Sequence, residues 1–107
     1  MLSLETIRND LKDIRYYYSR KSVFDNAESS VGKTFMLKKI EIYNKAVCSA
    51  PPRLYDLYVS LYLENNTQDS LSYKLGYTFE YISRLNKKLL EFLQKNIIEE
   101  NDKKAVN

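Results

Sequence analysis

The 107-residue sequence, with 44% hydrophobic and 29% charged residues, fits one small folded domain and excludes wholesale disorder. Because it contains no histidine and a single cysteine, it lacks the commonest general base and cannot form an intrachain disulfide or a thiolate metal site. The formal net charge of +3 is too small to identify a nucleic-acid partner by itself.

These features predict a protein that is not an enzyme and that has no metal, cofactor or small-molecule substrate. The sequence shows no signal peptide and no apolar run long enough to span a bilayer, so we expect a cytoplasmic location and no membrane partner. Two glycines and two prolines are few interruptions for a chain of this length, which favours an all-α fold of about five helices.

The first predicted helix begins after Ser3, whose hydroxyl is a suitable N-cap. Its apolar residues recur at spacings of three and four: Leu4, Ile7, Leu11, Ile14 and Tyr18. Because Tyr16, Tyr17 and Tyr18 point in three directions, at least one ring should be exposed. Auxiliary contacts with phosphate or a protein partner are predicted for four residues: Arg15, Tyr16, Arg20 and Lys21. The same residues also fit an ordinary solvated surface.

A polar segment, residues 25–32, is predicted to be a loop. It leads into Gly32-Lys33-Thr34, which is similar to the end of a phosphate-binding P-loop. The full pattern needs a glycine where Ala27 stands and an apolar strand before the loop. We interpret the match as chance, with Thr34 as the N-cap of the second helix.

That second helix is predicted from Phe35 to Cys48, with Cys48 as a small core residue at its end. Its buried face is predicted to hold Met36, Ile40, Tyr43 and Val47. Two helices of similar length joined by a short loop predict a helical hairpin over residues 1–49. Residues 1–50 hold nine Lys/Arg and six Asp/Glu, whereas residues 51–107 hold eight of each, so the hairpin is the basic half.

Pro51 and Pro52 end the second helix and suit the first turn of a third. The third helix has one apolar face: Leu54, Leu57, Tyr58, Leu61 and Tyr62. Glu64-Asn-Asn66 ends the third helix.

At the C-terminal end of the chain, Ile97 and Ile98 are predicted to extend the last helix, and residues 101–107 are predicted to form a frayed tail.

Between the third and the last helix, Thr67 and Thr78 are candidate N-caps eleven positions apart. Gly76 can adopt the left-handed conformation that ends a helix. A short helix, a tight turn and a second helix are the parts of a helix-turn-helix, whose second helix lies in the major groove in DNA-binding examples. Four residues are predicted to form the core between the two helices: Leu71, Leu75, Ile82 and Leu89.

The opposite side of the second helix is polar, and the predicted DNA contacts lie on or beside it: Thr78, Glu80, Tyr81, Ser83, Arg84, Lys87 and Lys88. An ordinary amphipathic helix with a solvated outer face has the same pattern. Helix-turn-helix geometry also occurs in domains that bind only protein.

Several of these residues together resemble region 4 of bacterial sigma factors: Ala50-Pro-Pro-Arg-Leu-Tyr-Asp-Leu-Tyr-Val-Ser-Leu-Tyr-Leu-Glu64, Thr67, Leu71, Leu75-Gly76, Thr78, Ile82-Ser-Arg84 and Leu89-Leu90. With a basic helical half before this module, the chain is similar to small phage-encoded late-gene transcription regulators of Gram-positive bacteria. The resemblance implies a three-helix, sigma-like helix-turn-helix module over residues 50–100, one compact unit with the hairpin, and a DNA-binding transcription regulator. Double-stranded DNA is the implied partner, with host RNA polymerase and a homodimer as further candidates.

Two alternatives remain open from the sequence. One is a helical interaction module that binds a host protein, such as RNA polymerase, without direct DNA readout; the neutral charge of residues 51–107 favours it. The other is a DNA-packaging adaptor such as a small terminase subunit, which also combines a helix-turn-helix with helical oligomerisation. A large ring in sedimentation would distinguish the adaptor from a monomeric or dimeric regulator.

Overall fold

Helices account for most of the backbone in a computed structural model of the protein, which describes residues 2–22 and 31–97. Five α-helices lie in these ranges: α1 (Leu4–Ser19), α2 (Val31–Val47), α3 (Pro52–Tyr58), α4 (Gln68–Leu75) and α5 (Phe79–Asn96). A π-helical turn, Val59–Leu63, continues α3. No strand occurs within the described ranges, so the predicted all-α fold is confirmed.

Hydroxyl caps fix where three of these helices begin, as predicted. The side chain of Ser3 accepts the amide of Thr6 at 3.1 Å, and Thr67 accepts the amide of Ser70 at 2.9 Å. Thr78 caps α5 in the same way. Each cap satisfies one of the amides that lack an intrahelical partner at a helix start. The third helix instead begins on Pro51 and Pro52, whose fixed φ suits a first turn.

The start of α2 differs from the prediction. The helix begins at Val31 rather than Phe35, so Thr34 lies inside it and is not its N-cap. The polar composition of the segment had suggested a loop, but Gly32 lies in the first turn of the helix, and a helix tolerates one glycine at a cost of at most about 1 kcal/mol. Residues 25–30 of the predicted loop lie outside the described residues.

One hydrophobic core joins the two predicted halves of the chain. α1 packs against α2, the π-helical turn and α5, and α5 also packs against α3 and α4. The buried residues come from every helix: Ile7, Leu11, Ile14, Tyr17, Ile40, Tyr43, Val47, Leu54, Leu57, Tyr58, Leu61, Leu71, Ile82, Leu89, Leu90, Leu93 and Ile97. At the rim of this core, the Gln94 amide donates to the Leu2 carbonyl at 2.9 Å and joins the beginning of the described chain to α5.

Four details of the predicted core are corrected. Leu75 is 55% exposed, because it lies in the last turn of α4, where the chain leaves the body of the molecule. Cys48 is exposed, since α2 ends at Val47. Tyr17 is buried and Tyr18 only partly so, with the two rings edge to face at 5.4 Å. Ile97 is buried as the extended C-cap of α5 and does not lengthen the helix; Ile98 lies outside the described residues.

The π-helical turn is a feature that the apolar spacing did not indicate. A wide hydrogen bond typical of a π-helix runs from the Glu64 amide to the Val59 carbonyl, five residues back, and the Asn66 amide then donates to the Ser60 carbonyl. Asn65 follows with φ of 61°, a left-handed conformation that asparagine adopts more readily than most residues. The turn therefore ends α3 and redirects the chain into α4 within a few residues.

Three tyrosines place their hydroxyls inside the fold on hydrogen-bond acceptors. Tyr43 donates to Asp10 at 2.6 Å and Tyr58 donates to Asn44 at 2.6 Å. Tyr62, in the π-helical turn, donates to Asn86 of α5 at 2.5 Å. Burial raises the pKa of all three phenols, because the phenolate would lose its hydration; Asp10 adds to the effect at Tyr43.

We expect truncation of Ile82, which is 0% exposed, to destabilise the protein strongly. Ile82→Ala removes buried methyl groups and leaves a cavity, which should cost about 2–5 kcal/mol in urea denaturation. Leu75→Ala is the matched control, because it shortens an exposed side chain on the neighbouring helix and should cost below about 1 kcal/mol. Equal losses in the two variants would contradict the register assigned to α4 and α5.

The buried tyrosines predict that stability falls at high pH. Their pKa values are raised in the folded state, so the stabilisation is complete below the unfolded tyrosine pKa of about 10 and is lost as the pH rises above it. Tyr58→Phe removes one such group, so between pH 8 and pH 10.5 the variant should lose less of its free energy of unfolding than the wild type. Parallel losses in urea denaturation at the two pH values would contradict this.

Candidate functional site

The turn between α4 and α5 sets the direction in which α5 leaves. Gly76 has φ of 70°, a conformation that costs a glycine little and other residues more. The Ser72 hydroxyl donates to the Tyr77 carbonyl, and Thr78 caps α5 by accepting the Tyr81 amide at 3.1 Å. These contacts fix the start of α5 locally. The helix-turn-helix interpretation of this segment stays a prediction.

The outer face of α5 is exposed as predicted. Glu80, Ser83, Arg84, Lys87 and Lys88 are all exposed, on the side opposite the buried stripe of the helix. Among the residues that the structure describes, neither Arg84 nor the two lysines has a hydrogen-bond or ion-pair partner. These three cations are therefore available to an anionic ligand.

Part of this face lines a concave site of about 620 Å³ that also involves other helices. Four of the predicted residues come together there, Glu80, Ser83, Arg84 and Lys87, whereas Thr78, Tyr81 and Lys88 do not line it. Asn86, Arg8 of α1 and Gln68 at the start of α4 complete the polar part of its lining. The contribution of Arg8 was not predicted, because only the tertiary packing of α1 brings it to α5.

Tyr81 makes a different contact from the rest of the predicted set. It is partly buried, its ring lies 4.8 Å from that of Tyr77, and its hydroxyl accepts from Arg53 at 2.6 Å. Arg53, in the first turn of α3, thereby reaches the start of α5. The two residues are 28 positions apart, so no local pattern in the sequence indicated the pair.

The predicted auxiliary residues of α1 line a second concave site, of about 640 Å³. Its lining is Lys12, Arg15, Tyr16, Ser19, Arg20 and Asn65. The guanidinium of Arg20 lies 4.3 Å from the centre of the Tyr16 ring, a cation–π contact. Lys21 is exposed but does not line the site. Asn65 was not predicted; its side-chain oxygen accepts from Arg15 Nε at 2.7 Å.

An apolar cleft of about 580 Å³ lies between the end of α3, the π-helical turn, α4 and α5. Its apolar lining includes Leu57, Leu71, Leu75, Tyr77, Ile82 and Leu85. Near the same turn in sequence, Tyr73 of α4 is almost fully exposed, and Phe79 is exposed and lines the concave site on α5. Single exposed leucines are common on protein surfaces, but several apolar side chains are exposed together around the Gly76 turn.

Two kinds of site are not found in the part of the chain that the structure describes. No group of three or more Cys, Asp and Glu side chains there is arranged to hold a metal ion. No helix in these residues is long and apolar enough to cross a membrane. No protein-family model, curated protein or solved structure matches the chain.

The cap of α5 can be tested separately from any ligand. Thr78→Ala removes the oxygen that accepts the Tyr81 amide, so it should lower the free energy of unfolding by about 0.5–2 kcal/mol. Thr78→Ser keeps the hydroxyl and is the matched control, with stability close to that of the wild type in urea denaturation. An alanine variant as stable as the serine variant would show that the cap does not hold the start of α5.

Proposed function

We propose that the protein is a transcription regulator that binds double-stranded DNA through the outer face of α5. The observation that carries this proposal is a set of three exposed cations, Arg84, Lys87 and Lys88, that have no partner within residues 2–22 and 31–97, on a helix that begins at a fixed turn. A helix of this size fits the major groove, where each base pair presents a distinct pattern of donors and acceptors.

The residues of this face differ in what they offer to DNA. Arg84 is the proposed base reader, since its planar fork can donate to both acceptors on the edge of a guanine. Lys87, about one turn further along α5, is proposed to meet a phosphate as a point charge. Glu80 repels phosphates but can accept from the amine of a cytosine, so it restricts sequence and adds no affinity. The Arg53–Tyr81 hydrogen bond supports the start of the helix.

The resemblance of residues 50–95 to sigma factor region 4 supports regulation of transcription as the role. By the same resemblance we propose a phage or prophage setting, with host RNA polymerase as a second partner. A near-neutral balance of charge argues for such help, because the described residues 51–97 carry six Lys/Arg and five Asp/Glu. Strong unaided binding to DNA normally draws on a larger basic excess.

A second candidate function is a protein-interaction module. The exposed apolar side chains around the Gly76 turn favour it, namely Leu75, Tyr77 and Phe79, because contiguous apolar surface beside a cleft marks protein interaction sites. In that case the cleft would hold a host protein, such as RNA polymerase, and α5 would not read bases.

Substitutions on α5 separate these functions. On DNA that flanks the gene, Arg84→Ala should cost about 1–3 kcal/mol of binding free energy, and much less on random DNA. Lys87→Ala should weaken binding to both and reduce the salt slope by about one unit. Fluorescence anisotropy at several salt concentrations measures both effects.

Lys45→Ala, at an exposed lysine in the last turn of α2, is the matched control for loss of one positive charge. It should leave specific and random binding close to wild type. If Arg84→Ala and Lys87→Ala also leave binding to flanking DNA unchanged at low salt, α5 does not contact DNA and the interaction-module function replaces the proposal.

A further inference from the structure

The charged residues of α1 are separated onto two sides of the helix. Lys39 of α2 lies 3.1 Å from Asp10 and 3.0 Å from Asp13, so both carboxylates face α2. At about 100° per residue, Arg8, Lys12 and Arg15 fall within an arc of about 60° on a different side. Asp10 and Asp13 therefore point away from that basic side, whereas Glu5 lies at its border and Glu80 lines the α5 site together with Arg8.

This basic side of α1 connects the two polar concave sites. Arg8 lines the site that also contains Arg84 and Lys87, whereas Lys12 and Arg15 line the other. The chain from Asn65 to Gln68 contributes one residue to each site, so it borders both. Basic side chains thus follow one another from α5, along α1, to Arg20 at its end.

The position of Tyr62 supports the same continuity. Its hydroxyl binds Asn86 of α5, and the positive charges of Arg15 and Arg8 both oppose the rise that burial causes in its pKa. Both guanidinium groups are therefore near a hydroxyl that is itself attached to α5. Arg8 and Arg15 therefore lie near the point where the π-helical turn meets α5.

Two of the α1 cations are held in place before any ligand arrives. Arg15 uses Nε to bind Asn65, which leaves its two terminal amino groups for an acceptor, and Arg20 rests on the Tyr16 ring. An arginine held in this way loses less side-chain entropy when it binds an oxyanion. Arg8 and Arg15 are seven residues apart, so they span about 10 Å of helix, over which one DNA strand rises by about three nucleotides.

We propose that Arg8, Lys12, Arg15 and Arg20 form a second surface that binds the sugar–phosphate backbone of double-stranded DNA. The inference rests on the proposed DNA binding and deepens it, because it assigns the main electrostatic contact to α1. Since residues 51–107 are electrically neutral, backbone affinity then comes from α1 while α5 supplies selectivity.

The test uses the full chain and a random-sequence duplex, with fluorescence anisotropy between 50 and 200 mM salt. The variant Lys12→Gln with Arg20→Gln changes two residues of the α1 site without touching the site on α5. Each lost phosphate contact removes about 0.9 from the slope of log K against log salt, so the slope should fall by roughly two units. Thermal melting confirms that the variant is folded.

Lys38→Gln with Lys45→Gln is the matched control, because it removes the same charge from exposed positions of α2. Its slope should stay within about half a unit of the wild type. Equal losses in the two double variants would overturn the proposal, since the effect would then be net charge alone. The proposal would also be overturned if the α1 variant keeps the wild-type salt slope on DNA but loses binding to polyglutamate. The surface would then be assigned to an acidic protein partner.

The same variants distinguish this inference from the proposed function. If Arg84→Ala loses selectivity while the α1 variant keeps the full slope, the inference is wrong and the proposed function stands. If the α1 variant loses about two units while Arg84→Ala changes neither selectivity nor affinity, α1 binds the backbone and the proposed base reading by α5 is wrong.

Discussion

The burial of one apolar stripe of α1 against the π-helical turn, α2 and α5 is the interaction on which the rest of the structure depends. Ile7, Leu11 and Ile14 lose almost all of their exposure, and each such side chain contributes about 1.5–3 kcal/mol. Because this stripe fixes the rotation of α1 about its axis, it also fixes where the charges point. Asp10 and Asp13 face α2, and the basic side faces the loop that precedes α4.

In the proposed DNA binding, affinity for the backbone and selectivity for base sequence are assigned to different helices, because one helix meets both demands poorly. A helix that reads base edges needs side chains of limited charge, since cations favour every phosphate equally and add little discrimination. α5 has Glu80 near its start and near-neutral surroundings, which weaken general attraction to DNA. The cations of α1 lie on a separate helix, so in the proposed DNA binding affinity and selectivity would depend on different side chains.

Much of the local structure was predictable because its causes are local. Ser3, Thr67 and Thr78 are caps by virtue of their own hydroxyls, and Gly76 ends α4 by virtue of its own backbone freedom. Periodicity also identified the buried side of α5. Periodicity failed at Leu75. An apolar stripe shows which side of a helix is buried, but it does not show how far along the helix the neighbouring helices cover that side.

The candidate site was predicted only in part, for the same reason. The exposed face of α5 follows from its sequence alone. Arg53 beside Tyr81, Arg8 beside Arg84 and Asn65 beside Arg15 depend on how distant segments pack, with separations of 28 to 76 positions. The π-helical turn that brings Tyr62 to Asn86 likewise has no signature in the spacing of apolar residues.

The packing of α1 has a consequence for the order in which the chain folds as it is made. α1 is synthesised first, yet two of its packing partners are the π-helical turn and α5, the last described helix. About 60 residues separate the end of α1 from the start of α5. At a synthesis rate of about 5–20 residues per second, α5 therefore begins to emerge roughly 3 to 12 s after α1 is complete. During this interval α2, and later the π-helical turn, cover part of the apolar stripe of α1, but the part that packs against α5 stays uncovered. A nascent chain that stops before α5 therefore leaves leucine and isoleucine side chains uncovered, and such a chain is a substrate for chaperones or proteases.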